Sequence, residues 1–185
     1  MQTRHRFILA SLFLLVSLRL LASGGDTTGT LNSSLGGVSV VNTTSTTTIY
    51  TYKVAPNVLQ SSGRLRVQLR GHVSTSAPQP GLVSIAVNYG VTVFTINITP
   101  VKGAVNAPMF LDLDITGDSV TTHGQVFHGL YVDGTSPNPA TVQAAYGVAT
   151  GNSNISQDLT VTWKWATASP SNAFVSDSCF TELMR

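Results

Sequence analysis

Arg64-Leu65-Arg66-Val67-Gln68-Leu69-Arg70 alternates without a fault between long polar and aliphatic side chains. Successive side chains of a strand point to opposite faces. Leu65, Val67 and Leu69 are therefore expected to enter a core, while Arg64, Arg66, Gln68 and Arg70 face outward. Just upstream, Ile49-Tyr50-Thr51-Tyr52-Lys53-Val54 has the same period, with Tyr50, Tyr52 and Val54 in phase. Pro56 stops that strand, and Ser61-Ser62-Gly63 turns the chain into the next. Residues 48–73 read as two strands joined by a short turn, so the fold rests on a sheet.

The same grammar runs outward in both directions. Val38-Ser39-Val40-Val41 is a weak first strand. Downstream, Val83, Ile85, Val87 and Tyr89 share a face, then Phe94, Ile96 and Ile98, then Leu111, Leu113 and Ile115 with Asp112 and Asp114 on the opposite side. Residues 125–132 and 140–149 continue the series. Leu159, Val161, Trp163 and Trp165 form a strong in-phase face, and residues 174–183 a last strand. Loops fall at 74–81, 100–108, 133–139 and 150–156, rich in Pro, Gly, Asn and Ser. Roughly nine or ten short strands with no helix-period stretch predict an all-β class. The expected architecture is an antiparallel two-sheet sandwich, jelly-roll-like because its connections are uneven in length.

Composition agrees. Only 10% of residues are charged, against about 25% in an average domain. Ser, Thr, Gly, Val and Asn suit pleated strands and tight turns instead. Residues 1–24 differ in kind. Arg4, His5 and Arg6 precede an apolar run, and Ala22-Ser23-Gly24 follows it. That is the layout of a secretory signal peptide, although an uncleaved anchor, a buried N-terminal tail or a gene start set too far upstream gives the same pattern. Residues 25–37 hold hardly any apolar anchor and read as a flexible linker or an arm ordered only by a neighbour. The sandwich is then expected over 38–185.

Setting aside Arg4, Arg6 and Arg19 leaves seven of the ten Lys and Arg against eight Asp and Glu, a formal net charge of −1. Nucleic-acid binding depends on clustered positive charge, so no nucleic-acid partner is expected. The remaining basic stripe, Arg64, Arg66 and Arg70, is read as a solvated sheet face or a subunit-contact face. Cys179 is the sole cysteine, which excludes an intrachain disulfide.

Several residue patterns resemble a known group. Ile49-Tyr50-Thr51-Tyr52, Ala55-Pro56-Asn57-Val58-Leu59, Gly63-Arg64-Leu65-Arg66-Val67 and Gly71 follow one another as in a set of bacteriophage virion proteins. Val83-Ser84-Ile85-Ala86-Val87-Asn88-Tyr89-Gly90 is similar to a later segment of that set, with Val91 standing where a second Gly is common. Asp158-Leu159-Thr160-Val161-Thr162-Trp163 is similar to their penultimate strand. The resemblance covers most of residues 48–165. It implies a jelly-roll-like capsid, decoration, head-fibre or tail-associated protein located in the virion. It also implies assembly as a homo-oligomer, with a trimer favoured, alongside other virion proteins, and it carries no catalytic residues over.

Other constellations are weaker. Trp163 and Trp165 are candidates for a carbohydrate-binding platform in a secreted module that meets a cell-surface glycan, although their phase with Leu159 and Val161 favours the core. Asp112, Asp114, Gly117 and Asp118 superficially resemble a calcium loop. The twelfth position, which needs a bidentate acid, is His123. His123 and His128 fall on opposite faces of a regular strand and share a metal only through a bulge at Gly124. Glu182 is the single glutamate, and no nucleophile elbow, zinc-binding helix or P-loop is present. No enzyme and no cofactor are expected.

Overall fold

A computed structural model describes residues 29–35, 37–59, 63–76, 81–90, 92–117, 122–131, 141–150 and 152–184. The leader and the loop at 133–139 lie outside the described residues. Eleven strands are present among the described residues: β1 (Gly29–Leu35), β2 (Ser39–Val41), β3 (Thr47–Val54), β4 (Arg64–Ser74), β5 (Val83–Tyr89), β6 (Thr92–Ile98), β7 (Ala107–Gly117), β8 (Thr122–Tyr131), β9 (Thr141–Thr150), β10 (Gln157–Trp165) and β11 (Ala173–Met184). Ten match the periodic stretches of the sequence. The eleventh, β1, corrects the flexible-arm expectation for residues 25–37: Gly29–Leu35 pairs antiparallel with β11.

All the pairings are antiparallel. One sheet has the order β1-β11-β4-β7-β8-β9 with β2 also on β11, and the other has the order β3-β10-β5-β6. β1 and β2 run end to end along one edge of β11 and act as halves of a single broken strand. Counted so, β2, β11, β4 and β7 face β3, β10, β5 and β6. That is the double Greek key of a jelly roll. The β8–β9 hairpin is an addition that widens the larger sheet beyond β7.

The alternation in β4 lands as its sequence requires. Leu65, Val67, Leu69 and Val73 are fully buried, whereas Arg64 and Arg70 are exposed and Arg66 and Gln68 half-buried. Each aliphatic side chain so buried contributes roughly 1.5–3 kcal/mol. β3 departs from simple alternation. Its register to β10 passes from Tyr50↔Val161 to Thr48↔Thr162, leaving Ile49 as a bulge. Two residues then oppose one, and both Ile49 and Tyr50 are buried. Across the core, the Tyr50 hydroxyl meets the Thr181 hydroxyl at 2.6 Å, tying the two sheets together.

One glycine is set by space. A Cβ on Gly71 would collide with the Val175 carbonyl and stand 2.8 Å from the Phe174 ring. Only glycine lets β4 and β11 pair this closely beside that ring.

Four connections meet at one end of the sandwich through residues 42–46, 75–76 with 81–82, 99–106 and 166–172. Asn172, fully buried, joins three of them. Its carbonyl accepts from Asn42 N at 3.1 Å. Its side-chain Oδ1 accepts from Ser76 N at 3.0 Å, and Nδ2 donates to the Thr167 carbonyl at 3.1 Å. Thr75 binds the fourth loop, donating to the Val101 carbonyl at 2.5 Å and accepting from Ala104 N at 2.9 Å.

Candidate interaction face

The outer face of the larger sheet carries the arginine stripe, and β7 lies beside it. Register sets Arg64 opposite Thr116, Arg66 opposite Asp114 and Gln68 opposite Asp112. The ion pairs form one step along. Arg64 bonds Asp114 and Arg66 forks onto Asp112, with Nε donating to Oδ1 at 2.9 Å and a second bond to Oδ2. Diagonal neighbours on an antiparallel pair are about 7–8 Å apart, within reach of arginine. Gln68 Nε2 adds a bond to Asp112 at 3.2 Å. The hydrogen bond to Asp112 pushes the Arg66 pKa up, against the opposing effect of lost solvation.

Arg70 ends the stripe differently. Its guanidinium lies 5.7 Å from the centroid of the Phe110 ring, a cation–π contact. Phe180 and Met184, both half-buried, stand on the same face of β11, which also carries Glu182 opposite Arg66. At the far end of β4, His72 Nδ1 is 3.1 Å from an Asp177 carboxylate oxygen. β4, β7 and β11 together present arginine, aromatic and methionine side chains, and the two acids of β7 neutralise two of the three arginines.

These acids were missed as partners in the sequence, where Asp112 and Asp114 register only as the wet side of a strand. The available signal was the matched period-two spacing of Arg64/Arg66 and Asp112/Asp114. Of the calcium-loop pattern, Asp112 and Asp114 bond the arginines, and Asp118 lies outside the described residues. Among the described residues no group of three His, Cys, Asp or Glu stands close enough to hold a metal. The register places His128 opposite Asp112 and His123 opposite Gly117; their side chains lie outside the described residues.

The tryptophan platform is corrected. Trp163 and Trp165 are both 0% exposed, so neither offers a face to a sugar. Trp163 stacks on Phe174 with ring centroids 4.2 Å apart, and Trp165 meets Trp163 edge-on at 5.4 Å. Their phase with Leu159 and Val161 decides this, as it does for any strand side chain. Trp165 Nε1 donates to the Val40 carbonyl at 3.4 Å. Cys179 is also buried, and loss of solvation pushes its thiol up to about 12, which removes thiolate reactivity near neutral pH.

The outer face of the smaller sheet has another character. Thr48, Thr51, Thr95 and Asn97 are exposed, and Ser84, Asn88, Thr160 and Thr162 half-buried. Ser84 Oγ donates to Asn97 Oδ1 at 2.6 Å. Charge is confined to its ends, in the Lys53–Asp158 pair at 4.0 Å and in Lys164. Beside Lys164 a shallow recess of about 390 Å³ is lined by Thr44, Ser84, Lys164, Trp165 and Ala166.

The sequence matches no family model and no curated protein. Among solved structures, the chain is similar to the CBM2 module of the evolved Dit of Lactobacillus casei BL23 phage J-1. The identity is 12%, the match covers 86% of this chain and 80% of that one, and the TM-score is 0.33.

Proposed function

We propose that the protein is a virion structural component, a capsid-decoration, head-fibre or tail-associated subunit that works by assembly and by surface or receptor contacts. The observation that carries this is the jelly-roll strand order. On it, the turn and strand residues that resemble bacteriophage virion proteins occupy β3, the turn after it, β4, β5 and β10. The warrant is likeness of fold and motif. No reaction and no cofactor are assigned.

A homotrimer is the favoured state, with Arg64, Arg66 and Arg70 in the contact face and other virion proteins as further partners. Burying a lone charge is costly, but here Asp112 and Asp114 already pair two of the arginines. Phe110, Phe180 and Met184 supply the aromatic and thioether surface that contact cores favour. Arginines engaged in this way are poor ligands for phosphate, in keeping with a partner that is not nucleic acid. Native mass spectrometry of the full chain is the test: a trimer is expected, and a clean monomer at micromolar concentration sinks the proposal.

A second reading, a secreted glycan-binding module, is favoured by one observation, the uncharged hydroxyl and amide face of the smaller sheet. With both indoles in the core, binding would run through that face. Calorimetric titration with chitotetraose and maltoheptaose tests it, with Thr162→Arg expected to abolish any heat of binding.

A further inference from the structure

We propose that the recess beside Lys164 is a binding site for a carboxylate-bearing saccharide, with the Lys164 ammonium on the carboxylate and the hydroxyl-bearing walls on the sugar. This gives a chemical class to the proposed receptor contact and rests on that reading.

The recess is a product of unequal strand lengths. β3 ends its ladder to β10 at Thr47↔Trp163, whereas β10 continues to Trp165 and keeps β5 beside it as far as Val83. Before Thr47 the chain leaves that ladder, and Asn42 N bonds the Asn172 carbonyl instead. A gap opens where β3 stops. Its volume of about 390 Å³ is lined by Thr44, Ser84, Lys164, Trp165 and Ala166, which is the small end of the roughly 300–1,000 Å³ range of small-ligand sites.

Its walls are held before a ligand arrives. Trp165 is fully buried, and its Nε1 donates to the Val40 carbonyl. Ser84 stands opposite Lys164 in the β5–β10 ladder. The Ser84 hydroxyl donates to Asn97 Oδ1, which leaves its lone pairs for a sugar hydroxyl. Thr44, exposed, lies in a turn where Ser45 N donates to Thr43 Oγ1 at 3.0 Å.

Lys164 is a charge without a counterpart. Among the described residues the ion pairs engage Lys53, Arg64, Arg66 and His72, and no carboxylate pairs with Lys164. The connections 42–46, 75–82, 99–106 and 166–172 hold no Asp or Glu in their sequence, and their one charged residue is Lys102. An anion reaching the recess therefore meets an ammonium and no like charge from these connections. One ammonium matches one negative charge, whereas a polyanion calls for several cations in a row. The uncharged face beyond, with Thr162 next along β10 and Asn97 across β5, offers donors and acceptors that suit sugar hydroxyls. A charge-assisted bond is roughly twice as strong as a neutral one, so the carboxylate sets the affinity and the hydroxyls set the fit.

Calorimetric titration of the full chain with sialyllactose, trigalacturonate and lactose tests this, with native mass spectrometry of the same samples. Heat with one or both acidic sugars and none with lactose is expected, and which of the two binds tells a sialic from a uronic acid. Lys164→Gln should weaken that binding about tenfold or more, while Lys164→Arg, which keeps the charge, should retain most of it. Lys164 is exposed, so neither replacement disturbs the core. Lactose binding as tightly as the acids, Lys164→Gln binding as tightly as the natural chain, or no heat with either acid each overturns the proposal. A trimer that binds neither acid overturns the recess and leaves the assembly reading standing. A monomer that binds an acidic sugar through Lys164 overturns the assembly and supports the recess.

Discussion

Tyr50 on β3 and Thr181 on β11 meet hydroxyl to hydroxyl at 2.6 Å, both buried, and so bridge the two sheets through the core. Removing the Tyr50 hydroxyl takes this bond from the buried Thr181 hydroxyl. Tyr50→Phe is expected to cost about 1–3 kcal/mol, the range for an unsatisfied buried polar group. Adding Thr181→Val should recover part of that loss. A double-mutant cycle by urea denaturation measures it, and strictly additive costs would show that the two hydroxyls do not couple.

The diagonal pair of Arg66 and Asp112 predicts a charge-reversal pattern. Arg66→Asp gathers acids around position 66, where Asp112, Asp114 and Glu182 stand, and should lower stability by about 1 kcal/mol at low salt. Combining it with Asp112→Arg restores an attractive pair and most of the stability. Both effects should shrink in 0.5 M salt, on the order of the screening expected at partly exposed sites. Thermal melts at two salt concentrations check this.

Gly71→Ala should be among the most damaging single-methyl additions in the chain. The methyl meets the Val175 carbonyl and the Phe174 ring, and β4 cannot shift without losing its ladder to β11. A loss of about 1–3 kcal/mol is expected from overpacking, read as a fall in the denaturation midpoint with an unchanged slope.

Alkaline pH should weaken the fold in a definite window. Burial raises Cys179 from 9.0 to about 12 and Tyr89 from 10.0 to about 12. Above pH 9 the unfolded chain loses these protons while the folded chain keeps them. The unfolded state then binds fewer protons, and stability falls as pH rises. Urea midpoints should hold steady from pH 7 to about 8.5 and then decline until the folded groups titrate near 12. Cys179→Ala with Tyr89→Phe should flatten the decline.

Much of the fold is visible in side-chain period alone. Leu65, Val67 and Leu69 against Arg64, Arg66 and Arg70 define two faces, and the phase of Trp163 and Trp165 with Leu159 places both indoles inside. What stays hidden depends on distant partners. Nothing near Arg66 in sequence shows that β7 will lie beside β4, so the pairing with Asp112 needs the topology. The bulge at Ile49 interrupts the expected phase of β3 because β10 contributes one residue where β3 contributes two. Gly29–Leu35 has no strand pattern of its own; it is a strand because β11 presents an edge to be paired. Strand formation there is a property of context more than of local preference.

Asn172 has a consequence for how such a surface changes over time. With one side chain and its own backbone fastening three loops at a single end, the loop bases are fixed before any partner arrives. The exposed Val41, Leu82, Val101 and Val105 sit on or beside those loops. Substitution at such tips alters what is offered to a partner without altering where it is held. The entropy of fixing these loop bases is spent during folding and is not subtracted again on binding. At that end of the sandwich the loop bases hang on a single buried asparagine.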